Sequence, residues 1–216
     1  MKLRIKPMDI MTGSDKMRVL NLYAGIGGNR KHWKGVEVTA VENDPEIAKL
    51  YQDLFPEDTV IVGDAHQYLL EHHKEFDLIW SSPPCPTHGQ YRYRVGVLAK
   101  GYAPVFPDMQ LYEEIIFLQH YYKGLWIVEN VKPFYEPLIA PTAVLQRHLF
   151  WSNFKIPHQE YAPKKLRTKN KISDYSDLGI DIAGTKIKNK RQVLRNCVDA
   201  ELGLHVIQSA WEFGSV

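Results

Sequence analysis

Cys85 stands in "SSPPCPTHGQ" (residues 81–90), and it is one of only two cysteines in the 216-residue chain. Two prolines precede it and one follows, which stiffens the backbone and forbids a helix through it. The apolar run "FDLIW" leads into it. A cysteine held at the end of a strand can be a presented nucleophile. It can equally be a small apolar filler, the usual state of a free cysteine. Glu129, in "VENV", follows four apolar residues. A carboxylate at the end of a buried strand is costly unless paired or protonated, so it reads as an ion-pair partner, a cap or a proton donor. "YAGIGGNRKHW" (23–33) is a glycine-rich turn whose backbone can approach a ligand closely. It matches neither the GxGxxG dinucleotide fingerprint nor a Walker A loop. Glu42 ends the next valine-rich run, where a carboxylate can accept from two ribose hydroxyls. Asp64, in "GDA", can accept from an amino group. A nucleoside-bearing cofactor without a pyrophosphate suits this set, and S-adenosylmethionine is one.

The elements needed to carry these groups alternate along the chain. Strands are expected at 17–23, 36–42, 59–64, 76–81 and 124–131, all nearly continuous in apolar residues. A helix is expected directly after the glycine turn. Another spans 44–55, with Asp44 as N-cap and Pro45 at its first position. Further helical patterns cover 65–75, 107–122 and 196–211, while 146–157 is strand-like. This alternation predicts an α/β fold with a mostly parallel sheet covered on both faces. Ligands of such sheets sit beyond the carboxyl ends of the strands. That rule gathers the glycine turn, Glu42, Asp64, Cys85 and Glu129 on one rim.

Bulk properties set the outer limits. The chain is 44% hydrophobic and 24% charged, enough to bury a core in one domain. No apolar run is long enough to span a bilayer, and the N-terminus lacks the apolar stretch of a signal peptide. With two cysteines and no CxxC, neither a disulfide framework nor a zinc knuckle is expected, and the cytoplasm is the natural compartment. Nine histidines raise the metal question, but no His-x3-His pattern occurs; adjacent His72 and His73 read as solvated histidines at a helix end, and no metal is expected. Net charge is only +2, yet residues 163–195 hold ten basic and three acidic residues, a local balance of +7. A basic strip on a mildly acidic body suits a polyanion partner or a solvated surface segment.

In order and spacing, "LYAGIGG", "VEND", "GDA", "PPC", "ENV" and "QRHLFWSN" resemble the motifs of the DNA cytosine-C5 methyltransferases. "RQVLRNCVDAELG" resembles that family's closing motif, which folds back beside the glycine turn. The resemblance spans residues 17–211. It implies a Rossmann-like S-adenosylmethionine-dependent methyltransferase fold. It assigns Cys85 as the nucleophile that adds to cytosine C6, Glu129 as the group that holds or protonates N3, and Arg147 as a hydrogen-bond donor to O2. Tyr23, Ala24, Gly25, Gly27, Gly28, Glu42, Asn43, Asp64, Ala65, Pro83 and Asn196 would then surround S-adenosylmethionine. The partner would be double-stranded DNA, with the target base flipped out of the duplex. The segment 87–106 would close over the DNA, using Gln90, Arg92 and Arg94 with stacking tyrosines, and the strip's Lys164, Lys165, Arg167, Lys169 and Lys171 would contact phosphates. Asn170, Ser173 and Tyr175 are candidates for sequence choice.

The sequence also departs from the family pattern. Pro86 replaces the usual glutamine after the cysteine, Tyr23 stands where phenylalanine is usual, and Leu149 takes the place read as a second arginine. That last change predicts a thinner polar network on the substrate side. The organisation expected is a catalytic and cofactor-binding domain over 17–157, a reduced target-recognition region over 158–190, and a returning segment over 191–211. So short a recognition region makes compact, phage-type members the nearest comparison and leaves room for a partner subunit. Two alternatives stay open: the tRNA-methylating branch, whose Cys-Phe-Thr tripeptide is absent here, and a non-catalytic DNA-binding relative.

Overall fold

The computed structural model describes residues 16–161, 180, 182, 184, 185 and 187–214. Five strands run parallel: β1 (Met17–Leu22), β2 (Val36–Glu42), β3 (Thr59–Val62), β4 (Leu78–Ser81) and β5 (Leu125–Val131). β6 (Ala143–Leu145) and β7 (His148–Ser152) form a hairpin whose second strand lies antiparallel to β5. The strand order is β3-β2-β1-β4-β5-β7-β6. Chain order reverses between β1 and β4, and the crevice outside their carboxyl ends is where such a sheet binds its ligand. The helices are α1 (Pro45–Leu54), α2 (Ala65–His72), α3 (Gln110–Tyr121), α4 (Lys190–Asn196) and α5 (Ala200–Gly214).

Strand alternation divides the core into two layers. Val19, Leu78, Trp80, Ile127 and Phe150 face one way and pack against Leu202, Val206, Ile207, Ala210 and Trp211 of α5. Leu20, Leu22, Ile79, Val128 and Trp151 face the other way, against Leu69 of α2 and Leu111, Ile115 and Leu118 of α3. Helices on both faces explain why the strands read as unbroken apolar runs. Local signals place the helix starts. The Asp44 carboxylate accepts from the amides of Glu46 and Ile47, with Pro45 next in line. The Asp64 carboxylate caps α2 through the amide of Gln67 at 2.8 Å.

Four expectations need correction. The helix expected after the glycine turn is a single 3-10 turn, Asn29–His32. Trp33 already leaves the helical conformation, at φ −71° and ψ 130°, and α5 packs against this turn. The helix expected at 196–211 begins later, at Ala200, because the Asp199 carboxylate caps its start through the amides of Glu201 and Leu202, and Asn196 instead ends the separate α4. The segment 87–106 is not all loop; Arg92–Ala99 winds into π-helical turns. His73 is buried, not solvated, with Nδ1 3.2 Å from the Leu69 carbonyl. The strip residues Lys164, Lys165, Arg167, Lys169, Lys171, Asn170, Ser173 and Tyr175 lie outside the described residues. Among those described, no helix is long and apolar enough to cross a membrane, and no group of three or more His, Cys, Asp or Glu could hold a metal ion.

The C-terminal helix reaches the glycine turn through backbone contact. A Cβ on Gly203 would lie 2.3 Å from the Asn29 carbonyl oxygen and 2.8 Å from the Asn29 Cα. The Trp33 indole N–H donates to the Gly203 carbonyl at 3.2 Å. A glycine inside a helix ordinarily costs about 1 kcal/mol relative to alanine. Here overpacking decides the sign, since forcing volume into a packed site costs ~1–3 kcal/mol and the obstacle is backbone. Gly203→Ala is expected to destabilise the protein by a net ~1–2 kcal/mol, read as a lower urea midpoint. A midpoint unchanged or raised would show that α5 can lift off the turn freely.

Candidate active site

Cys85 follows β4 by four residues and opens a tight turn. Its carbonyl accepts from the amides of both His88 and Gly89 at 3.0 Å. Pro86 has no amide to satisfy and a φ already set for such a turn. The prolines on the other side are anchored across the rim: Asn130, in β5, donates from Nδ2 to the Pro83 carbonyl at 2.9 Å. Asn130 is buried, so this bond fixes the residue next to Glu129 against the backbone that carries the thiol. The Cys85 side chain is partly exposed, and its thiol pKa is pushed up, first by burial and then by the negative charge of Glu129. Arg147 and Arg195 pull it down less strongly. In the free protein the thiol is therefore kept in its protonated form at neutral pH, with two cations near enough to favour the thiolate.

Glu129 is buried, and its partner is His148, with Nδ1 2.5 Å from Oε1. Arg147 lies next to this pair, and its Nε donates to His148 Nε2 at 3.2 Å. A guanidinium can only donate. His148 Nε2 therefore accepts, Nδ1 carries the hydrogen, and Glu129 Oε1 is the acceptor. The result is a directed chain, Arg147 to His148 to Glu129. Arg147 also donates to the Arg195 carbonyl at 2.6 Å, which ties the β6–β7 turn to α4. It does not touch Glu129 directly but works through the histidine. The thinner network expected from Leu149 is also corrected. Leu149 points into the α3-side apolar layer, and His148 occupies the position facing the carboxylate. The register explains this: β5 and β7 pair antiparallel, with Val131 opposite His148 and Glu129 opposite Phe150.

The glycine turn and the ends of β2 and β3 form the other half of the rim. Glu42 is buried; its Oε2 accepts from the Gly25 amide at 2.9 Å and its Oε1 from the Asp44 amide at 3.0 Å. Each oxygen keeps a further lone pair, so the same carboxylate can hold the turn and still accept from a ribose. Gly25 has φ 55°, and a Cβ there would meet nothing within 4 Å. Its open face is the approach a nucleoside cofactor needs. The other two glycines are packed: a Cβ on Gly27 would strike the rings of Phe55 and Tyr51, and one on Gly28 would lie 2.6 Å from the Val198 carbonyl. Ala24 is buried and donates from its amide to the Val41 carbonyl. Asn43 is exposed beside Glu42, and Ala65 is buried as the first residue of α2. Asn196 is exposed at the end of α4, just before the Cys197–Val198 pair that touches Gly28. The residues on this rim fit S-adenosylmethionine.

Gln90, Arg92 and Arg94, the residues expected to contact DNA, are all exposed. Gln90 donates to the Pro133 carbonyl at 3.2 Å, which joins the cysteine turn to the segment after β5. The tyrosines expected to stack on bases have partners of their own. Tyr93 stacks on Phe134 with ring centroids 4.4 Å apart, and the Arg195 guanidinium lies 5.3 Å from the Tyr91 ring centroid.

Three residues of this region escaped sequence reading: Asn130, His148 and Glu114. Glu114 had a visible signal, since it falls on the same helical stripe as Leu111, Ile115 and Leu118. The other two owe their places to strand pairing that no local pattern reveals.

The sequence model of the C-5 cytosine-specific DNA methylases matches residues 17–137, more than half of the chain. The chain belongs to that family. The match covers the glycine turn, Glu42, Asp64, Cys85 and Glu129, and S-adenosylmethionine is the family's cofactor. A search of curated protein sequences gives no match. Solved structures of partial likeness include DNMT2 from Spodoptera frugiperda, 27% identical, with 55% of this chain covering 37% of that one at a TM-score of 0.38. A SAM-dependent methyltransferase from Agrobacterium tumefaciens is 16% identical, with coverages of 56% and 40% and a TM-score of 0.37. A hypothetical protein of Thermus thermophilus is 20% identical, with coverages of 63% and 74% and a TM-score of 0.39. This methylase-family chain thus spans well under half the length of the first two.

The electrostatics of Cys85 can be read by alkylation. The rate of Cys85 carboxamidomethylation, followed by peptide mass across pH, should have its midpoint above the ordinary ~8.5 of a free thiol. Glu129→Gln should move that midpoint to lower pH, because it removes a negative charge that opposes the thiolate. Arg147→Gln should move it higher. Shifts of the opposite sign would mean that the two groups do not act on the sulfur.

Proposed function

We propose that this protein transfers a methyl group from S-adenosylmethionine to C5 of cytosine in duplex DNA, through a covalent bond between Cys85 and cytosine C6. The observation that carries this reading is the shared rim at the ends of β4 and β5. There a thiol on a proline-stiffened turn and a buried carboxylate are locked together by the Asn130–Pro83 hydrogen bond.

Cytosine C5 is a weak nucleophile. Addition of a thiolate at C6 makes C5 enamine-like, able to take up a methyl group; loss of the C5 proton to solvent then expels the thiolate and restores the ring. S-adenosylmethionine supplies that group when bound. The chain's own residues have three tasks. Cys85 must lose its proton as the base arrives, which Arg147 and Arg195 favour. Glu129 must carry a proton on its free oxygen when the base is bound, so that it donates to cytosine N3 and neutralises the charge that builds there during attack; the proton that Cys85 gives up balances the one delivered to N3. Its Oε1 is occupied by His148, which leaves Oε2 to face the base. Arg147, held between His148 and the Arg195 carbonyl, supplies fixed donors beside the pyrimidine oxygen. A base stacked in a duplex cannot reach this rim, so the target must be flipped out.

Lys188 precedes α4, and Lys190, Arg191 and Arg195 lie within it, with the Arg195 guanidinium over the Tyr91 ring. They continue the charged strip and suit a phosphate backbone. The short span between the hairpin and α4 is consistent with recognition shared with a partner subunit.

The test is methyl transfer from labelled S-adenosylmethionine to cytosine-containing duplex DNA and, in parallel, to tRNA. DNA should be labelled. Cys85→Ser should lose transfer to background while retaining cofactor affinity. Glu129→Gln should slow single turnover by more than tenfold, which is ~1.4 kcal/mol of barrier. Label on tRNA alone would change the substrate, and turnover by the serine variant would remove Cys85 from the chemistry.

A further inference from the structure

Glu114 is fully buried in α3, on the apolar stripe facing the sheet, and the reaction proposed above does not use it. Donors from three elements converge on its carboxylate. The Tyr23 hydroxyl, in the glycine turn, donates to Oε1 at 2.5 Å. The Ser81 hydroxyl, at the end of β4, donates to Oε2 at 2.5 Å. His66 Nδ1, in the first turn of α2, lies 3.2 Å from Oε1. These are the elements that carry the cofactor-side residues: Tyr23 leads into Ala24 and Gly25, Ser81 into Pro83, and His66 follows Asp64 and Ala65. Tyr23 also sits at φ 55°, a conformation that a bulky side chain holds only when its surroundings fix it. Its hydroxyl is what distinguishes it from the phenylalanine usual there, and Glu114 is what that hydroxyl meets.

We propose that Glu114 is a positioning residue for the cofactor rim, acting through Tyr23, Ser81 and His66 to set the glycine turn against α2. This rests on the cofactor reading given above. A buried carboxylate that loses one of its donors must find another or move. Tyr23 and Ser81 keep their hydrogens across the accessible pH range, but His66 is a third donor that can lose its charge. The hydrogen bond to Glu114 raises the His66 pKa above its ordinary 6.5; burial opposes this, and Glu113 and Glu114 of α3 and Asp64 of its own element add to it. A raised histidine pKa means the bridge is charge-assisted at low pH and weakens as pH climbs through the raised value, where the neutral ring keeps a single N–H. Cofactor affinity should therefore weaken with rising pH over that window. Besides those carboxylates, the groups around the bridge are the Tyr23 hydroxyl and Gln110, whose Oε1 lies 3.5 Å from it.

The experiment is calorimetric binding of S-adenosylhomocysteine to the full chain at about pH 6 and about pH 9, for wild type, His66→Gln, Tyr23→Phe and Glu114→Gln. Titration of the ligand's own amino group affects every protein equally, so the wild-type ratio is read against the His66→Gln ratio. Wild type should lose about tenfold more affinity than His66→Gln between the two pH values, ~1.4 kcal/mol. Tyr23→Phe should weaken binding at both. Glu114→Gln should bind weakly with a flattened pH profile, and should it fail to fold, the partly exposed histidine still supplies the decisive comparison. Superimposable pH profiles for wild type and His66→Gln would overturn the positioning role alone. A wild type that does not bind the ligand would overturn the cofactor reading and this proposal together.

Discussion

A thiol and a carboxylate share one partly dehydrated rim, and the negative charge of either disfavours that of the other. Much of the architecture around the β4 and β5 ends manages this conflict. Burial and Glu129 hold the Cys85 thiol in its protonated form, while Arg147 and Arg195 lean the other way. The Arg147–His148–Glu129 chain then fixes which oxygen of the carboxylate is occupied. In the proposed reaction, a Glu129 that takes up a proton and donates it to N3 of the entering base would no longer set a negative charge against the thiolate, which would become less costly as the electrophile arrives. Positioning and electrostatics would then act in the same step of the proposed reaction.

The cofactor half depends on close backbone approach. Gly27 lies under the rings of α1's end, Gly28 under the Cys197–Val198 backbone, and Gly203 of α5 against Asn29. No residue with a side chain fits these places without displacing backbone or rings. Polar anchors then fix the turn's direction. Glu42 holds Gly25, and the Arg30 guanidinium makes a two-pronged pair with Asp58 at 2.9 Å for both bonds. The Tyr51 hydroxyl reaches the same carboxylate, also at 2.9 Å. Breaking that pair would strand a buried charge, which is why removing one partner of such a pair is far more damaging than the pair's net worth suggests.

The sheet was legible in the sequence because strands covered on both faces are written as unbroken apolar runs, and α1 because Asp44 and Pro45 announce it. The placing of Cys85 and Glu129 on one rim was legible for a related reason: polar residues at strand ends stand out against the apolar stretch before them. What escaped depends on contacts far apart in the chain. The missing helix after the glycine turn is replaced by α5, 170 residues later, as the Trp33–Gly203 bond records. His148 faces Glu129 only because β7 pairs antiparallel with β5, while a reading of the hairpin by motif spacing alone put the polar role on Arg147 and its absence on Leu149. Asn130 acts on a backbone carbonyl 47 positions away, and nothing in its neighbours shows it.

The central claim, that Cys85 bonds to the cytosine it methylates, is tested most directly with a duplex carrying 5-fluorocytosine. Fluorine at C5 cannot leave as a proton does, so an enzyme that adds a thiolate at C6 and methylates C5 stays attached to its DNA. Incubation with that duplex and S-adenosylmethionine should give a denaturation-resistant complex, and peptide mapping by mass should place the linkage on Cys85. A wild-type protein that methylates ordinary cytosine but forms no such complex, or forms it through another residue, would contradict the account.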